Sequence, residues 1–165
     1  MSTATAGLKV KIGDPIPSIG QRATDGYLLN LRSFVGKQPV IVIFFGAPTL
    51  DGDARTGGDA LASALADAYP RLEKAGVALV GVTTDNERQQ LAYVAERSLP
   101  YLLFSDERRI AVSLLGIPTV NDQGNINAEP TAFAVDIGGT IVDIVEQAQP
   151  KGLVARLLEA IVPPA

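Results

Sequence analysis

The stretch Val40-Ile41-Val42-Ile43-Phe44-Phe45-Gly46-Ala47-Pro48 decides the fold. Its first six residues are all β-branched or aromatic, and the run stops at Gly46 and Pro48. A strand with one wet face alternates apolar and polar side chains. This one does not alternate, so both faces must be covered and the strand belongs at the centre of a sheet. Before it, Gly36-Lys37-Gln38 is a turn and Asp25-Gly26 is a hairpin signal, with Tyr27 to Leu31 as the second hairpin strand. Leu8 to Lys11 reads as a short strand. Gly13-Asp14-Pro15-Ile16-Pro17 reads as a turn-rich stretch, because proline cannot donate to a strand ladder.

After the central strand, a loop rich in Gly, Asp and Pro runs from Gly46 to Gly58. Ala60 to Lys74 is predicted helical, with Leu61, Leu65 and Leu72 facing inward. Asp59 is its expected N-cap, and Pro70 is expected to kink or divide it. Val77 to Val82 is a second buried strand, Asn86 to Arg97 a helix, Tyr101 to Phe104 a short strand and Asp106 to Leu115 another helix. Phe133 to Val135 and Thr140 to Val145 pair around Gly138-Gly139, and Lys151 to Ile161 is a closing helix. This alternation predicts one α/β domain over residues 1–165: a central mixed sheet, helices on both faces and an N-terminal hairpin.

Composition narrows the function. The chain has 165 residues, 47% of them hydrophobic, and a net charge of −4. Mild acidity without clustered Lys and Arg argues against a nucleic-acid partner. No apolar run approaches the ~20 residues a membrane helix needs. Met1 to Gly7 lacks the basic start and apolar run of a secretory signal, so the expected location is the cytoplasm. The chain contains no cysteine and no histidine. It therefore carries no thiolate nucleophile, no disulfide and no Cys-based zinc site. It also lacks the usual general base near neutral pH, which excludes Ser-His-Asp and Cys-His catalysis.

Several segments, in order, resemble the peroxiredoxin (AhpC/TSA) branch of the thioredoxin superfamily. Gly13-Asp14-Pro15-Ile16-Pro17 is similar to its Gly-Asp-x-x-Pro opening, and Asp25-Gly26, Leu31 and Gly36-Lys37 to its hairpin and turn. Phe44-Phe45-Gly46-Ala47-Pro48 sits where the family has an aromatic residue and a proline before its active site. Ala68-Tyr69-Pro70-Arg71-Leu72 and the run from Gly76 to Asp85 resemble its kinked helix and next strand. Leu99 to Asp106 resembles its strand ending in Ser-Asp, and Phe133-Ala134-Val135-Asp136 its late strand. The resemblance implies a thioredoxin fold with peroxiredoxin-like topology.

The departures bear on function. The family's Pro-x-x-x-Thr-x-x-Cys motif, counted from Pro48, puts Thr at Gly52 and Cys at Arg55. Counted back from the helix, the Cys position falls near Gly58. Thr49 is close but off the motif spacing. Pro130 stands where the family carries an arginine, and Glu129-Pro130-Thr131 resembles the cis-proline segment of thioredoxin-like and TlpA-like proteins. No catalytic residue, cofactor or metal is expected. Asp51-Gly52-Asp53 lacks the later ligands of a calcium loop, having Arg55 and Ala62 in their places. Arg55-Thr56-Gly57-Gly58-Asp59 could hold an anion at a helix start, unless Asp59 occupies that position itself. Asp136-Ile137-Gly138-Gly139-Thr140 reads as a hairpin turn, and Asp85 or Asn86 as the cap of the next helix. Tyr69, Tyr93 and Tyr101 read as packing residues, and Glu107-Arg108-Arg109 as a solvated helix face.

Three functions stay open. One is a non-catalytic binding or regulatory module on the former active-site surface, Ala47 to Asp59 with Glu129, Pro130 and Thr131. Another is an antioxidant oxidoreductase by descent, its activity lost or dependent on a partner. The third is a different chemistry built from Asp51, Asp53, Arg55 and Asp59. A homo-oligomer or a protein partner is expected through helix or loop contacts.

Overall fold

The computed structural model describes residues 7–46, 58–122 and 125–162. The chain opens with an antiparallel hairpin of β1 (Gly20–Arg22) and β2 (Leu28–Asn30). Its turn is the Asp25-Gly26 signal: Gly26 takes a φ of 91°, and Tyr27 N–H is held by the Asp25 carboxylate at 3.0 Å. A single 3-10 turn, Leu31–Phe34, leads to β3 (Val40–Phe44). Then come α1 (Gly58–Lys74), β4 (Ala78–Thr83), α2 (Glu87–Arg97), β5 (Leu102–Ser105) and α3 (Ile110–Leu115). A second hairpin, β6 (Thr119–Asp122) with β7 (Asn125–Ala128), precedes β8 (Thr131–Val135), β9 (Ile141–Glu146) and α4 (Leu153–Ile161).

The main sheet has the order β5-β4-β3-β8-β9, so β3 is the middle strand. It runs parallel to β4 and antiparallel to β8. All five of its residues are buried. Alternation along the strand divides the core in two. Ile41, Ile43 and Phe45 pack with Leu61, Leu65 and Leu72 of α1 and with Leu153 and Leu157 of α4. Val40, Val42 and Phe44 pack with Ile16, Ile19 and Leu31 from the start of the chain and with Val112 and Leu115 of α3. Each such side chain stabilises the fold by roughly 1.5–3 kcal/mol through burial. On β8, Ala132 and Ala134 face the first cluster beneath α4. Phe133 faces the second and meets Phe44 edge-on, with centroids 6.0 Å apart. Gly81 fits where it does because a Cβ there would lie 2.6 Å from a Leu103 methyl and 3.0 Å from the Phe45 ring.

The structure corrects several sequence expectations. Leu8 to Lys11 is not a strand; it is held by Lys9 N–H to the Leu115 carbonyl at 2.9 Å, at the end of α3, and by Leu8 and Val10 packing on the second cluster. Pro70 does not divide α1, which runs through it as one helix. Asp59 lies inside α1 rather than at its cap, because the helix starts at Gly58. The helix expected over Asp106 to Leu115 is only Ile110–Leu115. Arg109 turns left-handed (φ 58°), and Asp106 reaches forward to accept from Ala111 and Val112 N–H, both at 2.9 Å. Glu107 and Arg108 are thus an exposed turn, not a helix face. The hairpin β6–β7 was not anticipated, because Asn121, Asp122, Asn125 and Asn127 interrupt any apolar alternation. The Asp136–Thr140 turn forms as expected, with Thr140 N–H donating to the Asp136 carboxylate at 2.9 Å.

Candidate functional site

The carboxyl-terminal ends of β3, β4 and β5 lie together at one end of the sheet. A single row of paired residues crosses that end: Phe104, Val82, Phe44, Thr131 and Glu146. One step further out stand Thr83 and Ser105. The middle of the sheet is apolar, but this end collects hydroxyls, amides and carboxylates. Ligands of open α/β sheets bind beyond such strand ends. From here β3 delivers the chain into the segment that sequence reasoning marks as the former active site.

Thr83 is the hub of the β4 side. It is 1% exposed, and its hydroxyl accepts from the Gln90 amide at 2.9 Å and from Asp85 N–H at 3.3 Å while facing the Asp85 carboxylate at 3.4 Å. Gln90, also 1% exposed, donates in addition to the Phe104 carbonyl at 2.8 Å and so ties α2 to β5. Ser105 donates to the Asp85 carbonyl at 2.7 Å, and Thr84 to the Ile126 carbonyl at 2.6 Å, which fastens β7 to this end. Burial pushes the Asp85 carboxyl up to about 6, against the opposing effect of the Thr83 hydroxyl. Of the two cap candidates, Asn86 takes the role: its side chain accepts from Gln89 N–H at 2.8 Å, and Gln89 answers to Asn86 N–H at 2.9 Å. Asp85 is therefore left as a half-buried strand-end carboxyl able to exchange a proton near neutrality.

On the β8 side lie Glu129, Pro130 and Thr131. Among the described residues no peptide bond is cis, so Pro130 is trans and not a cis-proline. Glu129 N–H bonds to the Pro118 carbonyl at 2.9 Å, and the Pro130 carbonyl accepts from Ala148 N–H at 3.0 Å. Thr131 is 1% exposed and donates to the Glu129 carbonyl at 3.0 Å. Gln147, in a left-handed conformation (φ 53°), donates to the Glu129 carboxylate at 2.6 Å. Glu146 buries one carboxylate oxygen, Oε1, with no hydrogen-bond partner.

Pro48, Thr49, Asp51, Gly52, Asp53 and Arg55 lie outside the described residues, and Gly58 is the first residue of α1. The register does place Thr131 directly beside Phe44, on the strand that leads into that segment. Tyr93 and Tyr101 are buried and Tyr69 packs against Tyr101. Burial pushes the Tyr101 hydroxyl far up, and it donates to the Ala62 carbonyl at 2.9 Å, so it packs rather than reacts. Sequence reasoning missed Thr83, Gln90, Ser105, Glu146 and Gln147. Polar residues just past two buried strands were the available signal. Among the described residues, no three carboxylates gather as a metal site, and no helix is long and apolar enough to cross a membrane.

Comparison with known proteins agrees with this geometry. The AhpC/TSA family pattern matches residues 12–144. The chain is 34% identical over 110 residues to a chloroplastic peroxiredoxin Q of Populus jackii, covering 67% of this chain and 49% of that protein. It is 31% identical over 133 residues to the peroxiredoxin Q of Gentiana triflora, covering 81% of this chain and 58% of that one. The chain thus spans about half the length of the curated relatives it matches. Among solved structures, the peroxidoxin BcpB of Mycobacterium tuberculosis superposes with a TM-score of 0.76 at 20% identity, over 91% of this chain and 95% of its own. A Xylella fastidiosa PrxQ mutant also gives 0.76, at 18% identity, over 93% and 96%. The fold is that of peroxiredoxins, and a chain without a single cysteine belongs to the AhpC/TSA family.

Proposed function

We propose that this chain is a non-catalytic binding or regulatory module that uses the former active-site end of the sheet as its contact surface. One observation carries the reading: the family scaffold persists over residues 12–144 while the sequence holds no cysteine. Reduction of a peroxide by a protein thiol needs a thiolate that attacks the O–O bond, takes up one oxygen as sulfenic acid and releases the other as alcohol or water. Serine and threonine hydroxyls are far less acidic, and oxygen has no equivalent of the sulfenic state. Pro130 at the family's arginine position removes the positive charge as well. Fold alone does not confer the relatives' activity. Of the polar groups at that end, the exposed Gln147 and the half-buried Asp85 and Glu129 are the ones left to contact a partner.

The test is peroxide consumption with a dithiol reductant. The pure protein should match a boiled control, and a rate above that control overturns the reading. Arg55→Cys and Gly58→Cys, made separately, ask whether only the nucleophile was lost. A fast rate from either shows a pocket still shaped for peroxide. No gain from either shows that the pocket has changed as well.

A further inference from the structure

A cleft of about 870 Å³ runs along α3. Arg109, Val112, Ser113 and Gly116 line it, and at that spacing they share one face of the helix. Arg109 and Gly116 are the two caps of α3, so the cleft follows the helix from end to end. Val112 and Ile117, each 4% exposed, give it an apolar floor. Ser113 and Thr119 add hydroxyls at exposed positions. Glu129 and Gln147, from the former active-site end, complete one side.

Three charged side chains line the cleft: Lys9, Arg109 and Glu129. The Glu129 carboxylate already accepts from the Gln147 amide at 2.6 Å. Among the described residues, neither Lys9 nor Arg109 has an ion-pair partner. The cleft is therefore basic in a chain whose net charge is −4. Both cations sit on a fixed frame. Lys9 N–H bonds to the Leu115 carbonyl at 2.9 Å, and the Lys9 stem lies against Gly116, where an added Cβ would meet Lys9 Cγ at 3.0 Å and collide with the Gly7 carbonyl oxygen. Arg109 is left-handed, and its N–H donates to the Asp106 carbonyl at 2.8 Å. Asp106 also takes the Ala111 and Val112 N–H groups, so an anion in the cleft depends on side chains and not on the helix end.

We propose that this cleft binds an extended acidic segment of a partner protein. The inference rests on the reading of this end as a contact surface, of which Glu129 and Gln147 are part, and it names the chemistry of the partner. Charge selects an acidic ligand, because the two unpaired groups are cations. Shape selects a peptide. Lys9, Arg109, Ser113, Thr119 and Gln147 are all exposed, so the cleft is an open groove and does not enclose a small molecule. The anchor points lie at opposite ends of α3, roughly 10 Å apart by helical rise. In an extended polyproline II segment, residues three apart share a side and are about 9 Å apart. Two carboxylates at that spacing reach Lys9 and Arg109 together, with an apolar side chain between them over Val112 and Ile117.

Fluorescence anisotropy tests the proposal, with a short labelled peptide that carries two glutamates three positions apart and leucine between them. Binding should saturate and should weaken as salt is raised. Lys9→Gln and Arg109→Gln, both at exposed positions, should each weaken it roughly tenfold and together abolish it. Arg108→Gln, next in sequence but outside the cleft, should leave it unchanged. A peptide with lysines in place of the glutamates should not bind, which keeps the test independent of how any variant folds. Absence of saturable binding overturns the proposal. So does an Arg108→Gln effect as large as that of Arg109→Gln, which would mean diffuse attraction, or succinate binding as tightly as the peptide, which would mean a small-molecule site. Peroxide consumption by the same samples reports separately on catalysis: activity with peptide binding sinks the non-catalytic reading alone, and inactivity without binding sinks the peptide site alone.

Discussion

The middle of β3 and its carboxyl-terminal end differ in what surrounds them. Ile41, Val42 and Ile43 are fully buried among apolar side chains from both sides of the sheet. Level with Phe44 stand Thr131 and Glu146, and one step past it Thr83 and Ser105, to which Gln90 and Asp85 are bonded. Apolar burial is non-directional, so the middle needs only shape and hydrophobicity. The strand end depends on particular donors and acceptors at set positions. A scaffold can therefore persist while the chemistry at its edge is replaced.

The largest test of that contrast is Phe44→Ala. Removing a ring with no exposure, seated against Phe133, should cost about 3–5 kcal/mol in urea denaturation. A cost below about 1 kcal/mol, the size typical of substitutions that leave the core intact, would mean that the central strand is not what holds the fold. Next comes Asp106→Ala, expected to cost about 2 kcal/mol. It strands the Gln21 amide and the Ala111 and Val112 N–H groups, all of which now share one carboxylate. Unchanged stability would show that α3 caps itself by other means.

The smallest effect concerns Asp85 and sharpens the contrast by pH. Its carboxyl titrates at about 6 in the fold, against an ordinary 3.8. Between those values the native state holds a proton that the unfolded chain has released, so this group's contribution falls as pH rises through about 6. Asp85→Asn removes that loss. The variant should gain on the wild type across this window, by on the order of 1 kcal/mol at pH 8. Denaturation curves from pH 4 to 8 measure it, and a difference that stays flat with pH would show an ordinarily solvated Asp85.

How legible each part was follows from the range of its interactions. The strand Val40 to Phe45 announces itself by unbroken apolarity, and Asp25-Gly26 by turn chemistry acting over four residues. The Asn86 cap is likewise local, reaching three residues to Gln89. By contrast, Gln90 joins Thr83 to Phe104, Gln21 meets Asp106 from 85 residues away, and Thr84 holds Ile126 from 42 residues away. None of these pairs leaves a periodic trace. The hairpin β6–β7 was hidden for a related reason, since its asparagines carry no apolar alternation. Pro130 was misjudged because a family-like tripeptide says nothing of the distant backbone partners, Pro118 and Ala148, that its segment meets.

From its residues alone, the chain was committed to a buried central strand, an α/β alternation, the family scaffold and the absence of thiolate chemistry. Those properties depend on local periodicity and on which side chains exist at all. Only the tertiary structure decided which polar groups meet beyond the strand ends, that Asp85 titrates near neutrality, and that Lys9 and Arg109 line one cleft. Those depend on distance and dielectric between residues far apart in the chain, which the linear order does not record.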